Sequence, residues 1–334
     1  MRPKFFIYQL ICFIFFIYGC ENKTSTQPGD YDDIPQSDIS IIRNNWNPCS
    51  IPESSGKNLL SRGRLIWYNP YEQCQLNEIW PSLKISPDGP LRTHVLDLSF
   101  SPNDSGDFSA IESWSGIIMF IPEDFQSQLS SFQYLEVTIS GNQGIIHLDI
   151  GEISEDVIPN SKLNSEDKAI DGIRNGRLDP GEDIGLDGMA GTDPSDFWDV
   201  NENSIRDEGE PISWDDWTYS TGGPNYEQIN GTEGNEHDPG GKLPDTEDIN
   251  QNGKLDLNNN YYAYYINLDK SSSDTSMIVS ANLADNWYTY GIDLSNPMLV
   301  IGDPNPWKPF FLRIWIDGCS TASNIRVALI DFKK

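Results

Sequence analysis

Histidine is scarce in this sequence: three residues in 334, at His94, His147 and His237. No HExxH, GxSxG or phosphate-cradling glycine loop accompanies them, and no Cys–His constellation can be drawn. His94 and His147 fall in strand-like segments, where packing on a sheet face accounts for them better than catalysis. Cysteine is sparse too, five residues in all, with no CxxC pair of the kind that holds zinc. Basic residues are outnumbered, 22 Lys and Arg against 51 Asp and Glu, for a formal net charge of -29. A surface this acidic repels phosphates and excludes nucleic acid as a partner. After the N-terminal stretch no apolar run reaches the roughly 18 residues that a membrane-spanning helix needs. These absences point away from an enzyme. A glycoside-hydrolase carboxylate pair is the one catalytic device left open, because so many acids offer candidates.

The N-terminus speaks to compartment. Arg2 and Lys4 precede an almost wholly apolar stretch from Phe5 to Tyr18, the layout of a signal peptide and too short to span a bilayer comfortably. It ends in Ile17-Tyr18-Gly19-Cys20, which resembles a bacterial lipobox with a bulky Tyr18. Residues 1–19 are thus expected to be removed and Cys20 to carry the lipid, with an ordinary cleaved signal peptide as the alternative. Residues 20–45, rich in Pro, Gly, Ser and Thr, read as a flexible tether. Three cysteines remain beyond it: Cys49, Cys74 and Cys319. An exported protein permits disulfides, and Cys49 with Cys74 would close a loop worth roughly 3 kcal/mol, although three pairings are open.

Residues 46–334 read as one all-β domain. Strand candidates alternate or cluster β-branched and aromatic residues between turn signals: Arg64–Tyr68, Thr93–Phe100, Trp114–Phe120, Gln133–Ser140 and Gly144–Ile150 before residue 160, and Tyr261–Leu268, Trp287–Leu294, Phe310–Ile316 and Asn324–Phe332 after residue 258. A helical turn fits only Asp124–Ser131. The expected fold is a jelly-roll-like β-sandwich of the galactose-binding type. Trp67, Trp114, Trp287 and Trp315 lie in or beside strands, where core packing is the first reading and a sugar-stacking platform the second.

Residues 160–258 form an acidic, loop-rich insert in that sandwich. They hold 24 Asp and Glu against 7 Lys and Arg, a net of -17. Within the insert a twelve-residue pattern recurs three times. Calcium takes six to eight oxygens, and such a loop supplies them from positions 1, 3, 5, 7, 9 and 12, with Gly at 6 for the turn. The first copy offers Asp171, Asn175, the carbonyl of Arg177, Asp179 and Glu182, with Gly176 in place but Ile173 at position 3. The second offers Asp199, Asn201, Asn203, the carbonyl of Ile205, Asp207 and Glu210, with Ser204 where Gly is expected. The third offers Asp248, Asn250, Asn252, the carbonyl of Lys254 and Asp256, but ends in Asn259, so another residue must complete its sphere. Pro180, Pro211 and the abundant glycines argue against flanking helices. Four Glu-Asp pairs, 155–156, 166–167, 182–183 and 247–248, look placed to bridge neighbouring ions. Two or three calcium ions are expected, in shared or incomplete sites. Trp198, Trp214 and Trp217 would supply the insert's apolar nucleus. The competing reading is an acidic disordered linker.

Several segments carry a resemblance. They are Gly63-Arg-Leu-Ile-Trp-Tyr-Asn-Pro70, Leu148-Asp-Ile-Gly-Glu-Ile-Ser-Glu-Asp-Val157, Gly181-Glu-Asp-Ile-Gly-Leu-Asp-Gly188, Ile229-Asn-Gly-Thr-Glu-Gly-Asn235, Leu243-Pro-Asp-Thr-Glu-Asp-Ile-Asn250 and Phe311-Leu-Arg-Ile-Trp-Ile-Asp-Gly318. In this order they resemble the SprA family, very large outer-membrane proteins of the type IX secretion and gliding machinery. The resemblance implies an extracytoplasmic β-sandwich module interrupted by an acidic loop region, at the outer membrane and without enzymatic activity. It does not imply a translocon, since so short a chain has no room for a giant barrel. The expected protein is a lipid-anchored calcium-binding module of the cell envelope. It would be structural or bind a surface protein, in association with secretion or adhesion machinery, on the periplasmic or the exposed side. A carbohydrate-binding module with a glycan partner is the alternative, and it requires an exposed aromatic row on one sheet face.

Overall fold

The computed structural model describes residues 31–103, 109–168, 174–189, 197–208, 210–213, 244–269, 277–305 and 310–334. In chain order its elements are β1 (Asn47–Pro48), β2 (Arg64–Tyr68), β3 (Cys74–Gln75), α1 (Leu76–Ile79), β4 (Arg92–Thr93), β5 (Leu96–Ser101), β6 (Ser115–Phe120), α2 (Glu123–Leu129), β7 (Tyr134–Ser140) and β8 (Ile145–Glu152). There follow β9 (Asn260–Asn267), β10 (Ile278–Asn282), β11 (Trp287–Asp293), β12 (Leu299–Ile301), β13 (Phe311–Asp317) and β14 (Ser323–Lys333). Twelve of the strands build two antiparallel six-stranded sheets, ordered β1-β6-β13-β8-β9-β12 and β10-β11-β7-β14-β5-β2. This is the expected all-β sandwich. His94 falls between β4 and β5, and Trp114 just before β6.

Period-two alternation sets the faces. Leu135, Val137 and Ile139 of β7 and Leu96, Leu98 and Phe100 of β5 meet Leu312, Ile314 and Ile316 of β13 and Ile146, Leu148 and Ile150 of β8 in one core. The other face of β13, Phe311 and Trp315, is buried as well, packing with Cys49, Trp114, Ile118 and Tyr261. A strand covered on both faces reads as a nearly continuous apolar run, which is how Phe311-Leu-Arg-Ile-Trp-Ile316 reads. Its one charge, Arg313, is fully buried and is held by Asp149 of β8, with Nη2 2.7 Å from Oδ2. Trp315 Nε1 donates to the same oxygen at 3.0 Å. Gly116 makes room for this layer: a Cβ there would lie 2.5 Å from the Cβ of Trp315.

Three expectations change. The chain is already folded before residue 45, since Ile39 is buried in the core, its N–H donates to Ile330 O at 3.1 Å, and Asp38 accepts from Phe332 N at 3.0 Å. The tether therefore ends earlier than its composition suggests, because one buried isoleucine with bonds to β14 suffices to pin a polar segment. Cys49, Cys74 and Cys319 are free thiols, each packed in a different apolar cluster, so the Cys49–Cys74 loop closure does not form. The insert also spans more than residues 160–258. Strand β8 runs to Glu152 and β9 starts at Asn260, and the two pair directly, Glu152 opposite Asn260. The whole acidic region is thus the connection between two neighbouring antiparallel strands. Cys20 and His237 lie outside the described residues.

Candidate metal centre in the acidic insert

The second sequence copy folds as a single closed loop. Asp199 accepts the N–H of Asn203 at 3.0 Å and of Ser204 at 2.6 Å. Asn203 Oδ1 accepts the N–H of Ile205 at 2.7 Å. The amides of Asn201 and Asn203 both reach Asp207 Oδ2, at 2.6 and 2.7 Å. Glu210 shuts the loop by accepting the N–H groups of Val200 at 2.9 Å and Asp207 at 2.8 Å. Ser204, where Gly was expected, takes the left-handed conformation at φ 60.

The third copy repeats this around Asp248, which accepts from Asn252 and Gly253, each at 2.8 Å. Asn250 and Asn252 converge on Asp256 Oδ2 at 2.7 and 2.8 Å. The closing carboxylate that Asn259 cannot provide comes from far back in the chain. Glu155 accepts the N–H groups of Asn250 at 3.1 Å and Asp256 at 3.0 Å, while Asn259 is engaged with Ser154 N. Lys254 continues the turn after Gly253 with its side chain in solvent.

The first copy departs from its spacing. Asp171 lies outside the described residues, and the position-1 role belongs to Asp167. Asp167 accepts from Asn175 N at 3.3 Å and Gly176 N at 2.6 Å. Asn175 reaches Asp179 at 2.7 Å and accepts from Arg177 N at 2.8 Å. Glu182 closes on Lys168 N and Asp179 N at 3.1 and 2.8 Å.

Two further loops of this kind were missed in the sequence. In one, Asp156 accepts from Ser161 N at 3.2 Å, Asn160 accepts from Lys162 N at 2.8 Å, and Asn160 Nδ2 reaches Asn164 at 3.3 Å. Glu247 closes it on Ile158 N and Asn164 N, at 2.9 and 2.8 Å. In the other, a turn that follows Asp183 in sequence, Asp187 accepts from Met189 N at 2.9 Å. Glu166 closes that turn on Gly185 N and Asp245 N, both at 2.8 Å. Ser161 and Gly188 take the same left-handed turn, at φ 59 and 74. The available signal was the four Glu-Asp pairs. In each pair the Glu closes one loop, and in 155–156, 166–167 and 247–248 the Asp opens another, so consecutive carboxylates link neighbouring loops.

Electrostatics separates three of the closing carboxylates from ordinary surface acids. Glu155, Glu166 and Glu247 are each 0% exposed. Burial pushes their carboxyls up, to about 7 for Glu155 and about 8 for Glu166 and Glu247, against the main-chain N–H groups that favour the anion. The charges beside them are further acids: Asp256 and Asp248 at Glu155, Asp183 at Glu166, and Asp156 at Glu247. Among the described residues no three Asp, Glu, His or Cys side chains gather closely enough to hold a metal alone. The loops offer instead a mixed set of carboxylate, Asn and carbonyl oxygens. An all-oxygen set of that kind suits a hard cation such as calcium and not zinc.

The insert has its own small apolar nucleus, Val157, Ile158, Leu186 and Trp198. Trp198 fills the role expected of it, while Trp214 and Trp217 lie outside the described residues. Arg62 ties insert to sandwich, its guanidinium 4.6 Å from the Trp198 ring and 4.9 Å from the Trp114 ring. Ile153 and Ile249 extend the layer that covers the outer face of β13. Away from the insert, His147 Nε2 lies 2.9 Å from Asp317 Oδ1 and its ring stacks on Trp315 at 3.5 Å, so it is held as a packing residue. His94 is paired with Gln73. Trp67, Trp114, Trp287 and Trp315 are all buried.

No family model and no curated relative matches the sequence. Among solved structures the chain is similar to the family 11 carbohydrate-binding module of the cellulosomal cellulase Lic26A-Cel5E of Clostridium thermocellum, with a TM-score of 0.33 and 9% identity over 91% of this chain and 96% of that one. The family 11 module from the same organism, in complex with a β-1,3-1,4-mixed-linked tetrasaccharide, gives 0.33 and 9% over 86% and 88%. A carbohydrate-binding module specific for non-crystalline cellulose, CBM28, gives 0.28 and 10% over 92% and 96%. Likenesses this low assign neither ligand nor activity to this chain.

Proposed function

We propose that this protein is a calcium-stapled β-sandwich module of the cell envelope, anchored by lipid at Cys20 to the outer membrane, with a structural or protein-binding role. The sequence supports the anchor; the insert supports the ion. The carrying observation is the set of buried closing carboxylates whose charged neighbours are other carboxylates. Such groups need a proton or a cation, and each closes a turn whose oxygens suit calcium. The five loops would offer room for more ions than the two or three expected from the twelve-residue copies. The ions would hold together a connection that has little apolar surface of its own. Each ion at a concentration 100 times its Kd would stabilise the fold by about 2.7 kcal/mol.

Chelation tests this directly. EDTA should lower the melting temperature and open residues 153–259 to proteolysis, while the strands on either side stay protected. Unchanged melting and an unchanged digest would contradict the calcium role. A second reading, glycan binding, draws on one row of the outer sheet face, Trp315 on β13, His147 on β8 and Tyr265 on β9, in which Tyr265 is 37% exposed. Titration calorimetry against cell-wall and plant glycans separates the two: binding that a Tyr265→Ala change abolishes would favour the glycan.

A further inference from the structure

We propose that the loops opened by Asp156 and Asp248 take up calcium as an interlocked pair, an inference that rests on the calcium reading above. The pairing follows from which Glu closes which loop. The loop opened by Asp156 is closed by Glu247, the neighbour of Asp248. The loop opened by Asp248 is closed by Glu155, the neighbour of Asp156. Elsewhere in the insert Glu182, next to Asp183, closes the Asp167 loop, and Glu166, next to Asp167, closes on Gly185 N and Asp245 N.

Glu155-Asp156 and Glu247-Asp248 therefore each belong to two loops at once, and one loop cannot be ordered without placing the closing carboxylate of the other. Main-chain bonds reinforce the exchange. Glu155 N donates to Asp256 O at 2.8 Å, and Glu247 N donates to Asn164 O at 3.0 Å. Glu166 N donates to Asp245 O at 3.0 Å, beside a bridge between Ser165 and Thr246. The fifth loop is different. Asp199 and Glu210 open and close it from one segment, and its flanks pair with each other, Phe197 opposite Ile212. It serves as an internal control.

An ion that orders one loop of a pair removes part of the ordering cost of its partner, and that saving is the coupling between them. Coupling of the usual size shifts the partner's affinity by about fivefold or more. The Gly253 amide, which donates to Asp248, reports on the third-copy loop without being touched by changes elsewhere.

The experiment is a calcium chloride titration of the whole mature chain, glycine-labelled with nitrogen-15 and followed by NMR at Gly253. Asn160→Ala, in the Asp156 loop, should move the Gly253 midpoint to about fivefold higher calcium. Asn203→Ala, in the self-closed loop, should leave that midpoint in place. Should Asn160→Ala unfold the insert, Asn160→Asp provides the opposite arm: an added carboxylate in the Asp156 loop should move Gly253 to lower calcium, further than Asn203→Asp does. A Gly253 midpoint that ignores both Asn160 variants, in a protein that still binds calcium, overturns the pairing. A Gly253 amide that does not respond to calcium in the unaltered protein overturns the calcium reading itself, and the pairing with it.

Discussion

A buried carboxylate beside a cation and one without a cation impose opposite demands on the fold. Asp149 has Arg313 and the indole of Trp315. Glu155, Glu166 and Glu247 have main-chain N–H groups and other acids. Asp97 stands between these cases. It faces Arg326 across the β5–β14 pairing, yet burial outweighs that attraction and holds its carboxyl up at about 6. The folded protein then keeps a proton on Asp97 in the range between 3.8 and about 6, where the unfolded chain has already lost it. This contribution to stability is present at acid pH and is lost as pH rises through 6. Asp97→Asn, neutral at every pH, should raise the urea midpoint at about pH 8 by the equivalent of roughly 1–3 kcal/mol. The gain should disappear near pH 4. Equal midpoints at pH 8 would show that Arg326 stabilises the ionised form fully.

At the scale of the element, the repeated turn has one strained position. Gly253 and Gly176 meet it at φ 78 and 69, while Ser161 and Ser204 are held at φ 59 and 60. A side chain other than glycine costs roughly 1–2 kcal/mol in that conformation. No atom lies within 4 Å of a Cβ built on Gly253, so Gly253→Ala probes the backbone alone. It should weaken calcium binding at its loop, and Ser204→Gly should strengthen binding at the Asp199 loop, each by about fivefold or more. Isothermal titration of the two variants checks both signs; shifts in the same direction would refute the turn's role. The same geometry explains what the sequence made legible. The Asp199 loop could be read in full because all its ligands fall within one stretch. The Asp248 loop could be read up to Asp256, since its closing Glu155 comes from the end of another segment. The Asp156 loop was hidden by Ser161 in place of Gly, by Ile158 at position 3 and by a closing residue as distant as Glu247. Asp167 was not legible because it stands 15 residues before Glu182, outside the contiguous twelve-residue spacing. The nine longer, buried strands were legible, because alternation is a local signal and their burial follows it; the two-residue β1, β3 and β4 and the exposed edge strands β10 and β12 carry too little of that signal.

For the whole molecule, the sandwich does not need the insert to close. Strands β8 and β9 pair along their full length, and a tight turn would join them. What the insert adds is a layer over the outer face of one sheet, pinned by Ile153, Ile249 and the Arg62 guanidinium between Trp114 and Trp198. That layer explains why β13 is apolar on both faces, a feature that reads from sequence only as an unbroken hydrophobic run. It also concentrates more than half of the chain's net charge of -29 in one region. Carboxylates this dense repel one another within a Debye length of about 8 Å unless cations intervene. The account therefore turns on whether the folded protein holds ions. Native mass spectrometry of the mature chain, equilibrated with calcium and then with EGTA, counts them. The account predicts more than three bound calcium ions, all removed by the chelator; a chain carrying no calcium at saturating concentrations would contradict it.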